Sequence, residues 1–206
     1  MEQILNKIIR YSLYLLVFLL PLWFLPFTIF PVAANKQLLL AVFCFFIIIL
    51  WAIKVFSSGK LSFICNKLTL AVFLLLLILG VSTFLSASKA QSFWGMNFEP
   101  DTFFSFILYT LTFFLFANLL KEEKEVSKTI FAFLGGSGVL AALFLIDSFI
   151  HIFPWDFAKS TGFNPIGTVQ ALSLFLTGAF VILVSLITAE KNAEPNAEGT
   201  LKQKSA

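Results

Sequence analysis

Residues 68–86 read LTLAVFLLLLILGVSTFLS and contain no charged side chain. A helix of these nineteen residues is about 28 Å long at about 1.5 Å per residue. That length matches the hydrocarbon core of a bilayer, which is about 30 Å thick. The stretch is apolar throughout and lacks the in-and-out alternation of a membrane β-strand. It therefore predicts a transmembrane helix.

The rest of the chain has the same character. Its 206 residues are 59% hydrophobic and 12% charged, whereas soluble domains carry about 25% charged residues. This composition excludes a free-standing soluble enzyme and a disordered chain. We expect an all-α fold, a polytopic transmembrane bundle over residues 1–188, followed by a disordered polar cytoplasmic tail over 189–206. The six predicted spans are 8–30, 37–56, 68–86, 103–120, 129–153 and 167–188.

The cations predict the orientation of this bundle. Cytoplasmic loops of membrane proteins carry an excess of Lys and Arg, and eleven of the fourteen lie on one side of the predicted spans. We therefore expect both termini in the cytoplasm. The net charge of +3 without a basic stripe gives no reason to expect a nucleic-acid partner. The three cations on the other side are Lys36, Lys89 and Lys159.

Two features predict how the helices end and pack. Pro21 and Pro26 lie inside the first predicted span and lack a backbone donor, so we expect a kink or a break near its outer end. Residues 135–138 read GGSG, and small residues let a neighbouring helix approach closely. No strand precedes this run and no Lys-Ser/Thr follows it, so it predicts a packing seam and not a phosphate loop.

The outer loop at 87–101 holds four candidate binding residues, which are Ser92, Trp94, Glu99 and Asp101. Two interpretations of Trp94 are open. Tryptophan anchors membrane proteins at the interface between lipid and water. An exposed indole is also a platform on which a sugar ring stacks, with the two carboxylates accepting hydrogen bonds from sugar hydroxyls.

Two further outer segments are candidates. Asp147 and His151 lie four residues apart on one helix face, which suits a proton relay or merely a solvated helix end. The turn that holds Asn164 leads into the sixth span, where helix amides could face an anion or simply begin the helix. A lone histidine does not complete a metal site, so we expect no metal, and no motif predicts a cofactor.

Two runs resemble O-antigen ligase/polymerase-like membrane proteins. SFWG at 92–95, followed by an acidic residue and the aromatic helix at 103–109, resembles the region before the middle of that family. GFNP at 162–165 is similar to the Gly-x-x-Asn-Pro-Asn start of a family helix, although Ile166 stands where the family often has Asn. The resemblance covers about 1–188 and corresponds to the amino-terminal half of the family.

The resemblance implies a protein of the bacterial inner (cytoplasmic) membrane that acts on a polyprenyl-phosphate-linked glycan at the outer face. In that family, Arg and His residues of a large periplasmic loop in the second half are held responsible for transfer. We therefore expect catalytic residues to come from a second half or a partner subunit, and we assign none within 1–206. Substrate binding would fall to Ser92, Trp94, Glu99, Asp101 and Asn164. A small proton-coupled transporter using Asp147 and His151, and a non-catalytic membrane scaffold, are the alternatives.

Overall fold

The computed structural model describes residues 2–24, 32–59, 66–95, 101–120, 122–150 and 165–204. Within these ranges the chain forms seven helices and no strand, which confirms the predicted all-α fold class. The helices are α1 (Glu2–Leu19), α2 (Ala33–Ser58), α3 (Lys67–Leu85), α4 (Lys89–Trp94), α5 (Phe103–Leu119), α6 (Glu123–Ile150) and α7 (Val169–Lys204). The last turns of α7 lie in the segment for which the sequence predicts a disordered tail.

Four of the described helices are long and apolar enough to cross a membrane. They are Ala34–Ser58 within α2, Lys67–Leu85 of α3, Glu123–Asp147 within α6 and Val169–Ala189 within α7. Many of their large apolar side chains face outward, and Phe84 and Leu85 of α3 are 74% and 82% exposed. Soluble monomers rarely expose apolar surface of this extent. The four long apolar helices therefore indicate a multi-pass membrane protein, and their exposed apolar surface suits a lipid bilayer.

The first predicted span differs from the sequence-based boundaries. α1 begins at Glu2 and ends at Leu19, whereas the sequence predicts a span over 8–30. The helix ends because Pro21 cannot donate the next helical hydrogen bond. The amides of Leu22 and Trp23 both donate to the carbonyl oxygen of Leu19, each at 2.9 Å. The predicted break at Pro21 is confirmed, while Pro26 lies outside the described residues.

α1 lies at the centre of the helical array. It packs against α2, α5 and α6, and the neighbours follow the order α7, α6, α1, α2, α5, α3, with α4 contacting α3 and α5. Ile9, Leu13 and Leu16 are buried and are spaced to form one stripe along α1. The central cluster of buried side chains consists of Ile9, Leu13, Leu40, Cys44, Ile47, Leu108 and Leu115.

Contacts along the helices give their directions. Arg10 pairs with Glu125, and Phe18 meets Gly136 further along both helices, so α1 and α6 run parallel. Gln37 bonds Ser105 and Cys44 bonds Thr112, so α2 and α5 run parallel as well. α3 runs opposite to α5, because Gly80 meets Phe103 and Phe73 meets Phe114. These directions give the array two ends. We call them the Arg10 end, where Arg10 lies beside the start of α6, and the α4 end, where α3 ends and α5 begins.

The close contact between α1 and α6 depends on glycine. A Cβ atom at Gly136 would lie 2.6 Å from the carbonyl oxygen of Phe18 and 3.2 Å from Cγ of Pro21. A Cβ atom at Gly138 would have no neighbour within 4 Å. The predicted packing seam is therefore confirmed, and Gly136 is the position where the backbones of the two helices meet.

An ion pair joins the same two helices at the Arg10 end. Nη1 of Arg10 lies 2.5 Å from Oε1 of Glu125, and the Glu122 amide donates to Oε2 of Glu125 at 3.3 Å. Glu125 is only 3% exposed. Because a buried carboxylate needs a partner, this pair ties the first turns of α6 to α1.

Candidate functional site

A pocket of about 750 Å³ lies at the α4 end, between α3, α4 and the start of α5. Its lining combines apolar side chains, four hydroxyl-bearing residues and one carboxylate. The lining residues are Ile78, Leu79, Val81, Ser82, Thr83, Leu85, Ser86, Ser92, Asp101, Phe103 and Phe106. The apolar members from α3 include the exposed, outward-facing side chains of Ile78, Val81 and Leu85. We call this cavity the outer pocket.

Hydrogen bonds to Ser86 shape the polar side of the outer pocket. The hydroxyl of Ser92 donates to Oγ of Ser86 at 2.6 Å, and the Ser88 amide donates to the same oxygen at 3.3 Å. These bonds turn the chain back after α3 and fix α4 beside it. Ser92, which the sequence predicts as a binding residue, therefore has its hydroxyl held at the pocket wall.

A buried network fixes the start of α5. The Ser105 amide donates to Oγ1 of Thr102 at 3.3 Å, so Thr102 is the N-cap of this helix. The Gln37 amide nitrogen donates to Oγ of Ser105 at 2.8 Å, and Ser105 is completely buried. The network ties α5 to α2 and so positions Asp101 and Phe103 at the pocket. Sequence reasoning missed it, although the polar residues at the edges of apolar runs were the available signal.

Asp101 is exposed and makes no hydrogen bond or ion pair with the described residues. Ser82 is exposed on α3 and makes none either. Both side chains line the outer pocket, so a carboxylate acceptor and a hydroxyl group face the same space. These groups are free to bind a ligand that carries several hydroxyls.

Trp94 lies beside the outer pocket and does not line it. Its ring centroid is 4.9 Å from that of Phe104 and 4.8 Å from that of Phe93, and Trp94 is 48% exposed. A half-exposed indole on an aromatic base suits an interfacial anchor and a stacking platform equally well. Its role in binding stays a prediction.

The remaining predicted site residues lie elsewhere. Asp147 lies near the carboxyl end of α6 and is not part of the outer pocket. Glu99, His151 and Asn164 lie outside the described residues. The structure thus brings Ser92 and Asp101 together, and the predicted pairing of Asp147 with His151 stays a prediction. Across the described ranges no three His, Cys, Asp or Glu side chains cluster as metal ligands would.

No family model, curated protein or solved structure matches this chain. The resemblance to O-antigen ligase-like proteins stays a prediction. The geometry of the outer pocket therefore carries the functional argument.

Proposed function

We propose that this chain is a protein of the bacterial inner membrane that binds a polyprenyl-phosphate-linked glycan in the outer pocket. The supporting observation is that one cavity joins a carboxylate and hydroxyls to an apolar wall that continues into the lipid-facing surface of α3. Sugar hydroxyls donate to Asp101 and exchange hydrogen bonds with Ser82 and Ser92. The polyprenyl chain lies along the apolar wall, where burial of each methylene contributes about 0.8 kcal/mol.

The proposal includes six membrane crossings with both termini in the cytoplasm, so that the outer pocket opens at the outer face. The helix directions support it, because α1, α3 and α6 run one way and α2 and α5 run the other. α5 has 17 residues and is about 26 Å long, which is within the range of short spans. The excess of cations at the opposite side of the spans agrees with this orientation.

The carrier phosphate needs a cation. Lys89 begins α4, the same short helix that carries Ser92, and it is exposed. A phosphate at the interface can therefore meet its ammonium group while the glycan occupies the pocket. Lys89 binds the phosphate as a point charge and not in a fixed two-point geometry.

We further propose that the chain corresponds to the amino-terminal half of an O-antigen ligase-like transferase. Its role is to hold the carrier, while the groups that transfer the glycan belong to a second half or a partner subunit. The arrangement of Ser92 and Asp101 suits binding, since neither lies beside a described base within hydrogen-bond reach. We therefore expect residues 1–206 alone to bind the carrier glycan without transferring it.

Loss of the Asp101 carboxylate should weaken glycan binding. A hydrogen bond to a charged group contributes about 1.5–3 kcal/mol, so Asp101→Asn should raise the Kd at least about tenfold, and Ser92→Ala should act in the same direction. The measurement is photo-crosslinking of the purified chain in nanodiscs with a short polyprenyl-diphosphate-linked disaccharide. Trp94→Ala should weaken binding if the indole is a platform.

The matched control is Ser173→Ala, which removes an exposed hydroxyl from α7, a helix that contributes no residue to the pocket lining. It should leave the Kd unchanged. Equal binding by Asp101→Asn and the unaltered chain would contradict the proposal. The same holds if polyprenyl phosphate without a sugar binds as tightly as the glycan-linked form, or if the chain alone transfers the glycan.

A further inference from the structure

A second, polar pocket lies at the Arg10 end, between α1, α2 and α5. Its volume is about 170 Å³, which is the space of five or six waters at about 30 Å³ each. It is lined by Asn6, Ile9, Arg10, Trp51, Lys54, Asn118, Leu119 and Glu122. We call it the inner pocket. Its lining includes two cations, Arg10 and Lys54, and the carboxylate of Glu122, so it suits a polar ligand that carries charge.

The position of the inner pocket matches the depth of lipid head groups. Lys54 lies one turn before the end of α2, and Asn118 is the penultimate residue of α5. Trp51 lines the pocket from the same helix as Lys54, and tryptophan is enriched where head groups meet the acyl chains. The pocket therefore faces the polar edge of the membrane at the Arg10 end.

The charged groups of the inner pocket differ in whether they already have a partner. Arg10 is already paired with the buried Glu125 at 2.5 Å. The Lys54 ammonium and the side-chain amide of Asn6 make no hydrogen bond or ion pair with the residues that the structure describes. Glu122 lies 4.0 Å from Arg10 and its side chain is 64% exposed, so its carboxylate is open to a ligand. One open cation and one open anion remain.

We propose that the inner pocket binds the phosphoethanolamine head group of phosphatidylethanolamine. The lipid phosphate lies between the Lys54 ammonium and the Asn6 amide, and the lipid ammonium donates hydrogen bonds to the Glu122 carboxylate. An anionic head group would satisfy Lys54 but meet repulsion from Glu122, so the pair of opposite charges selects a zwitterion. The cavity has the volume for this head group, and the acyl chains remain in the bilayer.

This proposal does not rest on glycan binding, because the inner and outer pockets lie at opposite ends of the helices. It shares with the proposed function only the orientation, which assigns the inner pocket to the cytoplasmic leaflet. Lys54→Met should therefore leave crosslinking of the glycan probe unchanged. Failure of either proposal leaves the other standing.

The test measures the melting temperature of the full chain in detergent with dihexanoyl phosphatidylethanolamine. A ligand that binds only the folded state raises the melting temperature in proportion to RT ln(1 + c/Kd), where c is the free ligand concentration, here by about 5 °C when the lipid is present at about 30 times its Kd. Lys54→Met should abolish this shift and Asn6→Ala should reduce it. Lys67→Met is the control, since Lys67 is an exposed lysine at the start of α3, outside the inner pocket, and it should keep the full shift.

The Glu122→Gln variant tests the selection of a zwitterion. Removing the carboxylate should turn the preference from phosphatidylethanolamine to phosphatidylglycerol. The proposal fails if phosphatidylglycerol stabilises the unaltered chain as strongly as phosphatidylethanolamine does, or if Lys54→Met keeps the full shift. It also fails if free phosphoethanolamine gives the same shift as the lipid at equal concentration, because the ligand is then a soluble compound.

Discussion

Gly136→Ala should lower the free energy of unfolding by about 3 kcal/mol, and Gly136→Leu should leave almost no folded protein. The new Cβ atom would lie 2.6 Å from the carbonyl oxygen of Phe18, which is backbone and cannot rotate away. Overpacking at a rigid contact costs about 1–3 kcal/mol, and here the cost lies at the upper end because α1 and α6 must separate. The measurement is the melting temperature and the monodisperse fraction of purified protein.

Gly138→Ala is the matched control on the same helix. A Cβ atom there meets nothing within 4 Å, and alanine is a better helix former than glycine by up to about 1 kcal/mol. The two substitutions should therefore shift the melting temperature in opposite directions. If both variants shift it alike, Gly136 is not the point where the two helices meet.

Arg10→Met should destabilise the protein by about 3–5 kcal/mol. The substitution removes the partner of Glu125, a residue that is only 3% exposed. Its carboxylate would then either stay charged and unpaired or take up a proton, and both outcomes lower the free energy of unfolding. The double variant Arg10→Met with Glu125→Gln should recover most of the stability, because no buried charge is left. Thermal unfolding of the three proteins in the same detergent provides the measurement.

Lys7→Met is the control for this pair. Lys7 is an exposed cation on α1, one turn before Arg10, and its loss should change the stability by no more than about 0.5 kcal/mol. A double variant as unstable as Arg10→Met would show that the buried charge is not the cause. The loss of stability would then come from the missing contact between Arg10 and Glu125 itself, and not from an unpaired buried carboxylate.

The apolar helices were largely predictable, because composition marks them directly. The sequence predicts a span over 68–86, and α3 is Lys67–Leu85. Its first turn is fixed by Asn66, whose side chain accepts a hydrogen bond from the Thr69 amide at 2.8 Å. Here the start of the apolar run nearly coincides with a capping residue, so the span predicted from hydropathy and the observed helix begin within one residue of each other.

Hydropathy does not locate the end of a helix that continues beyond its apolar stretch. The sequence predicts a span over 129–153, but α6 begins at Glu123. Glu and Lys are good helix formers, and acidic residues at a helix start interact favourably with its dipole. The apolar pattern marks only the part of the helix that suits lipid, and its polar first turns had to be found from the structure.

The contacts between helices were the least predictable part. Ser92 and Asp101 are only nine positions apart in the chain, so their proximity follows from the sequence. Gln37 and Ser105 are 68 positions apart, and only the packing of α2 on α5 brings them together. Arg10 and Glu125 are a similar case, because the sequence uses the charge of Arg10 to predict the orientation and does not indicate that Arg10 pairs with Glu125. A long-range polar contact needs the tertiary arrangement of both helices.

The central claim is that α3 crosses the membrane and presents the outer pocket at the outer face. Cysteine labelling tests it on Ala90→Cys in α4 and Ser57→Cys at the end of α2, both exposed positions, with Cys65 replaced by Ser. In intact bacterial cells a membrane-impermeant maleimide should label Ala90→Cys and not Ser57→Cys, while both should react after permeabilisation. Labelling of both positions in intact cells, or of Ser57→Cys alone, would contradict the account.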